Sequence, residues 1–125
     1  MADDQRPDAQ LHPEALAAFV ARATEGPVRM LNLLKFTSSG AESYLRYGEA
    51  TRPLLAKAGA HIVYAGRPAE LLIGEPEWDL LVLVEYPSRG AFLEMVSSPE
   101  YRAIEHLRHG ALERSVLYAT DPLPV

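Results

Sequence analysis

The sequence predicts an α+β domain in which one helix is followed by the order β-α-β-β-α-β. Three observations carry this. Two runs, VRMLNLLKF (28–36) and WDLLVLVEY (78–86), are apolar at both odd and even positions, which is the pattern of strands covered on both faces. Between and after them lie segments with apolar residues at helical spacing. Each change of pattern is punctuated by glycine, proline or serine.

Taken in order, residues 1–11 lack periodicity and read as a flexible N-terminal arm, with 12–125 as a single domain. HPEALAAFVARATEG reads as a short helix with Pro13 in its first turn, Leu16, Phe19, Val20 and Ala23 as its stripe, and Gly26–Pro27 as its stop. The first strand follows. Ser39 and Glu42 have the spacing of a capping box. They open a helix that runs to about Ala58 and stops at Gly59, with Tyr44, Tyr47, Thr51, Leu54, Leu55 and Ala58 on one face. Pro53 inside it predicts a kink or break. AHIVYAG reads as a second strand, with Gly66 and Pro68 marking a bulge or an edge, and LLIGEPEW as its end and a turn. Trp78 to Tyr86 is the third strand. Ser88 caps a helix that carries Phe92, Leu93 and Val96 inward, and Ser98–Pro99 starts the next one. SVLYAT is the last strand, followed by a proline-containing tail.

This order is the ferredoxin-like βαββαβ arrangement with an extra N-terminal helix. It requires a four-stranded antiparallel sheet of order 4-1-3-2, with strands one and three central. Those are the two strands that are apolar on both faces, and the strand bearing Gly66 falls at an edge. Helices cover only one side of such a sheet. Leu80, Val82 and Val84 alternate with Leu81 and Leu83, so the other side is too apolar to face water. A homodimer through that sheet face is expected.

A net charge of −5, from 12 Lys plus Arg against 17 Asp plus Glu, argues against a nucleic-acid partner. The absence of cysteine excludes disulfides, thiolate metal sites and cysteine nucleophiles. No run approaches the ~18 apolar residues of a membrane span, and MADDQRPDAQ does not read as a signal peptide, so a cytoplasmic protein is expected.

MLNLLKF, SYLRYGEATRPLLAKAGA and WDLLVLVEYPSRGAFLEMVSSPEYRAIEHLRH together resemble the domain-of-unknown-function 1330 family, over about residues 27–120. The most specific parts are YPSRGAFLEMVSSPEY and the Tyr44/Tyr47 pair ahead of Gly59. The resemblance implies membership of the dimeric α/β-barrel superfamily, in which two ferredoxin-like sheets pair across a two-fold axis. That superfamily includes cofactor-independent monooxygenases, isomerases, and lactone-handling and haem-degrading enzymes, so it implies no single activity.

Phosphate loops, nucleophile elbows and dinucleotide fingerprints are absent from the sequence. The candidates are polar and aromatic residues in apolar company. Asn32 interrupts the first strand: its amide either satisfies a buried network or lines a pocket. Tyr44 and Tyr47 read as core with a wet hydroxyl, or as pocket walls facing Asn32. His61, on the second strand, is a surface residue or a general base. Trp78 is core, a pocket lid or a dimer contact. Arg108 either pairs with Glu105 or Glu113, or holds a carboxylate or enolate; an arginine also recurs near this point in the resembled family. His106 and His109 have the spacing of a metal pair, but no third ligand accompanies them, so no metal and no cofactor is expected. Glu75, Glu77 and Asp79 read as a solvated acidic turn.

Two functions follow. One is a cofactor-independent enzyme acting on a small organic acid, lactone or phenol, with His61 as base, Asn32 and Arg108 stabilising an oxyanion, and Tyr44, Tyr47 and Trp78 shaping the pocket. The other is a non-enzymatic ligand-binding or stress-associated module. Convergence of Asn32, His61 and Arg108 on one cavity favours the first; a cavity without His61 favours the second; no cavity favours a third reading, a dimer whose pocket is simply filled core.

Overall fold

A computed structural model describes residues 11–125; the arm expected over 1–11 falls almost entirely outside them. The elements are α1 (Pro13–Ala21), β1 (Val28–Phe36), α2 (Gly40–Ala58), β2 (His61–Gly66), β3 (Leu80–Tyr86), α3 (Arg89–Ser97), α4 (Pro99–Arg102), α5 (His106–His109) and β4 (Leu112–Thr120). The sheet has the order β2-β3-β1-β4, and every neighbouring pair is antiparallel. This is the ferredoxin-like order, with the two doubly apolar strands at its centre.

Pairing divides the strands into two faces. Met30, Asn32 and Leu34 of β1 sit in rows with Val84, Val82 and Leu80 of β3 and with Ala119, Leu117 and Ser115 of β4. This face lies under the helices, where Val28, Met30, Val82, Val84, Tyr86, Met95 and Tyr101 form the main buried cluster. Leu31 and Leu33 pair with Leu83 and Leu81, and with Tyr118 and Val116, on the opposite face. None of these six is buried in the single chain, and Tyr118 is 65% exposed. Lys35 lies on this side at the strand end and reaches Asp79 at 3.4 Å.

α2 continues through Pro53 without a break. Proline cannot donate to the carbonyl of Glu49, but both residues are exposed, so water can satisfy that carbonyl. The expected capping box does not form: Ser39 makes no side-chain cap bond. The amide of Gly40 bonds the Thr37 carbonyl instead, and Glu42 lies 3.9 Å from Arg46. Ser88 and Ser98 do cap their helices, each accepting at 3.1 Å from the amides of Ala91 and Tyr101. Gly59 ends α2 in the left-handed region at φ 75°.

Three other elements differ from expectation. Of the stripe predicted for α1 only Phe19 and, past the helix end, Ala23 are half-buried; Leu16 and Val20 are exposed, because α1 meets the domain mainly through Phe19 on Phe92, 5.6 Å between ring centroids. LLI (71–73) belongs to the loop after β2, with Leu72 and Ile73 about nine-tenths exposed. β4 begins at Leu112, three residues before the expected start, because Arg114 and Leu112 pair with Lys35 and Phe36. The helical segment before it is correspondingly short. Asp79 is not part of a solvated turn: its amide bonds the Leu34 carbonyl at 2.8 Å and its carboxylate accepts from the Phe36 amide at 2.9 Å.

Candidate functional site

Between the helix-side face of the sheet and α2, α4 and α5 lies a cavity of about 380 Å³. Its floor is Met30, Asn32, Leu80, Val82 and Val84. α2 contributes Tyr44, Tyr47, Thr51 and Leu55, α3 contributes Phe92, Met95 and Val96, and Tyr86, Tyr101 and Arg108 close the side. α2 presents its residues at i, i+3, i+7 and i+11, so one helical stripe becomes one wall. Thr51 is buried, and its hydroxyl donates to the carbonyls of Tyr47 and Gly48 within the same helix.

The polar end is built around Arg108. Its Nη2 donates to Asn32 Oδ1 at 3.1 Å. The Asn32 amide nitrogen makes only long contacts, 3.4 and 3.5 Å, to the carbonyls of Val82 and Met30. Asn32 is therefore both a network residue and a wall residue, and its strongest bond holds the guanidinium. Arg108 does not pair with Glu105 or Glu113, and no carboxylate among the described residues lies within ion-pair distance of it. Tyr44 lines the same cavity, close enough for the Arg108 charge to act on its hydroxyl. The hydroxyls of Tyr47 and Tyr101 share a 2.7 Å hydrogen bond. Successive ring contacts link Phe36, Tyr44, Tyr47 and Tyr101, with centroids 5.2–6.1 Å apart.

Burial raises the pKa of Tyr44, and more strongly those of Tyr47 and Tyr86, above the ordinary phenol value, while the nearby Arg108 charge acts in the opposite direction. Burial wins, so these hydroxyls stay protonated near neutral pH and act as hydrogen-bond donors.

The structure brings Asn32, Tyr44, Tyr47 and Arg108 together. It does not bring His61 or Trp78 to them. His61 is exposed and pairs with Glu85, which puts it on the sheet face away from the helices. A register shift between Ile62 and Tyr64 leaves Ile62, not His61, on the cavity side. Trp78 precedes β3 and lines a separate hollow with Phe36, Thr37, Arg67 and Asp79, with the Arg114 guanidinium 5.0 Å above its ring. His106 and His109 are both exposed, and the described residues contain no group of three metal-ligating side chains.

Tyr86, Met95 and Tyr101 were absent from the sequence-based site. Tyr86 was legible as the next even position after Leu80, Val82 and Val84. Tyr101 was signalled by the Ser98 cap three residues earlier. Nothing local in the sequence singles out Met95.

No curated protein matches the chain. A crystal structure of a protein of unknown function from Rhodopseudomonas palustris is 35% identical, covering 93% of this chain and 97% of that one, with a TM-score of 0.85. Two more distant structures share the fold. A DABB-family protein from Mesorhizobium loti, described as having a ferredoxin-like fold, is 18% identical over 80% of this chain and 100% of its own, with a TM-score of 0.60. A protein of unknown function from Bacteroides fragilis, described as dimeric with a ferredoxin-like fold, is 16% identical over 78% and 97%, with a TM-score of 0.55. The model of the family named Domain of unknown function (DUF1330) matches residues 31–121, nearly the span of the resemblance read from the sequence, and the chain belongs to that family.

Proposed function

We propose that the protein binds a small, partly apolar organic molecule in the cavity beneath α2, and that it works as a homodimer joined through the open face of its sheet. One observation carries the binding reading. Arg108 is a half-buried cation, steadied by Asn32, that borders an apolar hollow and has no anionic partner among the described residues. A charge withdrawn from water without a counter-ion is costly, and a ligand that supplies the missing partner offsets that cost. His61 lies outside the cavity, which favours binding over base catalysis. The enzymatic reading keeps one support: Arg108 and Tyr44 are donors suited to an enolate-like oxyanion.

The dimer reading rests on Leu31, Leu33, Leu81, Leu83, Val116 and Tyr118, which form one apolar surface. The Bacteroides fragilis structure of the same fold is described as dimeric.

A thermal-shift screen of small organic acids, lactones and phenols tests the cavity, because a ligand of the native state raises the unfolding midpoint. At least one compound should raise it in the wild type and fail to do so in Leu117→Trp, which fills the half-exposed wall of the cavity. If no compound shifts the wild type, or if the shifts survive the filling, the cavity is not a binding site. Chromatography of the bound mixtures separates binding from turnover.

A further inference from the structure

We infer that the ligand is a monocarboxylate with a flat, apolar body, its carboxylate held by Arg108 and Tyr44 and its body lying among the aromatic and aliphatic walls. This rests on the ligand-binding reading above and specifies its chemistry.

The argument is a count of donors and acceptors. A guanidinium has five N–H donors and no acceptor. One of them is used on Asn32. Tyr44, lining the same cavity, adds a hydroxyl hydrogen. In the Tyr47–Tyr101 pair one hydroxyl donates to the other, so the acceptor's own hydrogen is still available. The oxygen of Asn32 is already engaged by Arg108, and its amide nitrogen faces backbone carbonyls. The polar end therefore has donors in excess, and a ligand group that fits it must mainly accept. A carboxylate does so with two oxygens spaced for a guanidinium.

The charge count limits the ligand to one negative charge. Of the charged residues that line the cavity, Arg108 alone is half-buried; Glu49 and Arg52, both on α2, are exposed and opposite in sign. A dianion such as a phosphate monoester would bring a second charge into a hollow otherwise walled by Met30, Val82, Val84, Phe92 and Met95. A volume of about 380 Å³ is at the small end of small-molecule sites, roughly 300–1,000 Å³. The ring contacts along Tyr44, Tyr47 and Tyr101 offer both faces and edges to a planar body.

The test is calorimetric titration with four matched pairs: benzoate, phenylacetate, 4-hydroxybenzoate and octanoate, each against its primary amide. At least one aromatic acid should bind roughly ten- to a hundredfold more tightly than its amide, the range of a charge-assisted bond. Arg108→Gln should abolish that preference, and Arg108→Lys should keep part of it. If Arg108→Gln fails to fold, the pH profile of the wild type decides. Acid binding should fall as pH drops through the acid's own pKa, while amide binding stays level. Octanoate alone would point to an acyl chain and overturn the flat body. Amides that bind as well as the acids, or binding only by neutral compounds from the wider screen, overturn the carboxylate and leave the cavity reading intact. No binding by any compound in either experiment overturns both.

Discussion

Asn32 stands between Val82 and Leu117 in the rows of the sheet, an amide among apolar neighbours. A leucine would fill the same place on the strand. What leucine cannot do is accept the 3.1 Å bond from Arg108, which crosses from α5 to β1. Removing that acceptor takes from the half-buried guanidinium the one hydrogen bond its side chain makes among the described residues. Asn32→Leu should therefore lower stability by about 1–2 kcal/mol and weaken ligand binding together. Both effects should shrink sharply when Arg108 is already methionine, because the shared bond is then gone. Denaturant unfolding of the two single variants and the double variant checks this; additive losses would mean that Asn32 acts through its backbone contacts instead.

At the scale of elements, two glycines of α2 make opposite predictions. Gly40 is buried where the turn after β1 meets the residue before β4, and a methyl there would run into the Ala111 carbonyl and the Thr37 hydroxyl. That carbonyl also accepts from the Thr37 amide at 2.9 Å, so it is not free to move. Gly40→Ala should cost about 1–3 kcal/mol. Gly48 lies one helical turn or more inside the same helix, and a methyl there meets nothing within 4 Å. Gly48→Ala should stabilise by about 0.5–1 kcal/mol, the usual gain from removing backbone freedom in a helix. Thermal midpoints moving in opposite directions would support both accounts; a gain at Gly40 would show that the β1–α2 junction is looser than the contacts indicate.

For the whole molecule, the sheet has one face under helices and one that no helix among the described residues covers. An apolar surface of this extent is unusual for a monomer. Light scattering at micromolar concentration should return twice the chain's 13.8 kDa. Leu83→Glu, placed centrally in the row Leu31–Leu83–Tyr118, should yield the single-chain mass without loss of helical signal. A wild type that is a folded monomer under those conditions would sink the dimer. The native glutamate two residues along β3, Glu85, already engages Arg29 at 2.7 Å, so that arginine is not free to offset the new charge.

The order of elements, the central places of β1 and β3 and the inward face of α2 were written in local pattern: period-two and helical spacing, serine caps and glycine stops. Alternation put Asn32 on one face with Met30 and Leu34, and its inward direction followed because an amide among tyrosines is easier to satisfy than Lys35 beneath two helices. Those features depend on residues near one another in the chain. The position of His61 did not follow, because a single register shift in β2 reverses which residue of an edge strand faces the helices, and that shift is decided by pairing with β3. The places of Trp78 and Asp79 were not legible for a related reason. Asp79 bonds across to β1, residues 34 and 36, and carries Trp78 to a different hollow. The Arg108–Asn32 bond joins residues 76 apart in sequence, and only the packing of α5 on the sheet decides that the guanidinium turns inward and not towards Glu105 or Glu113.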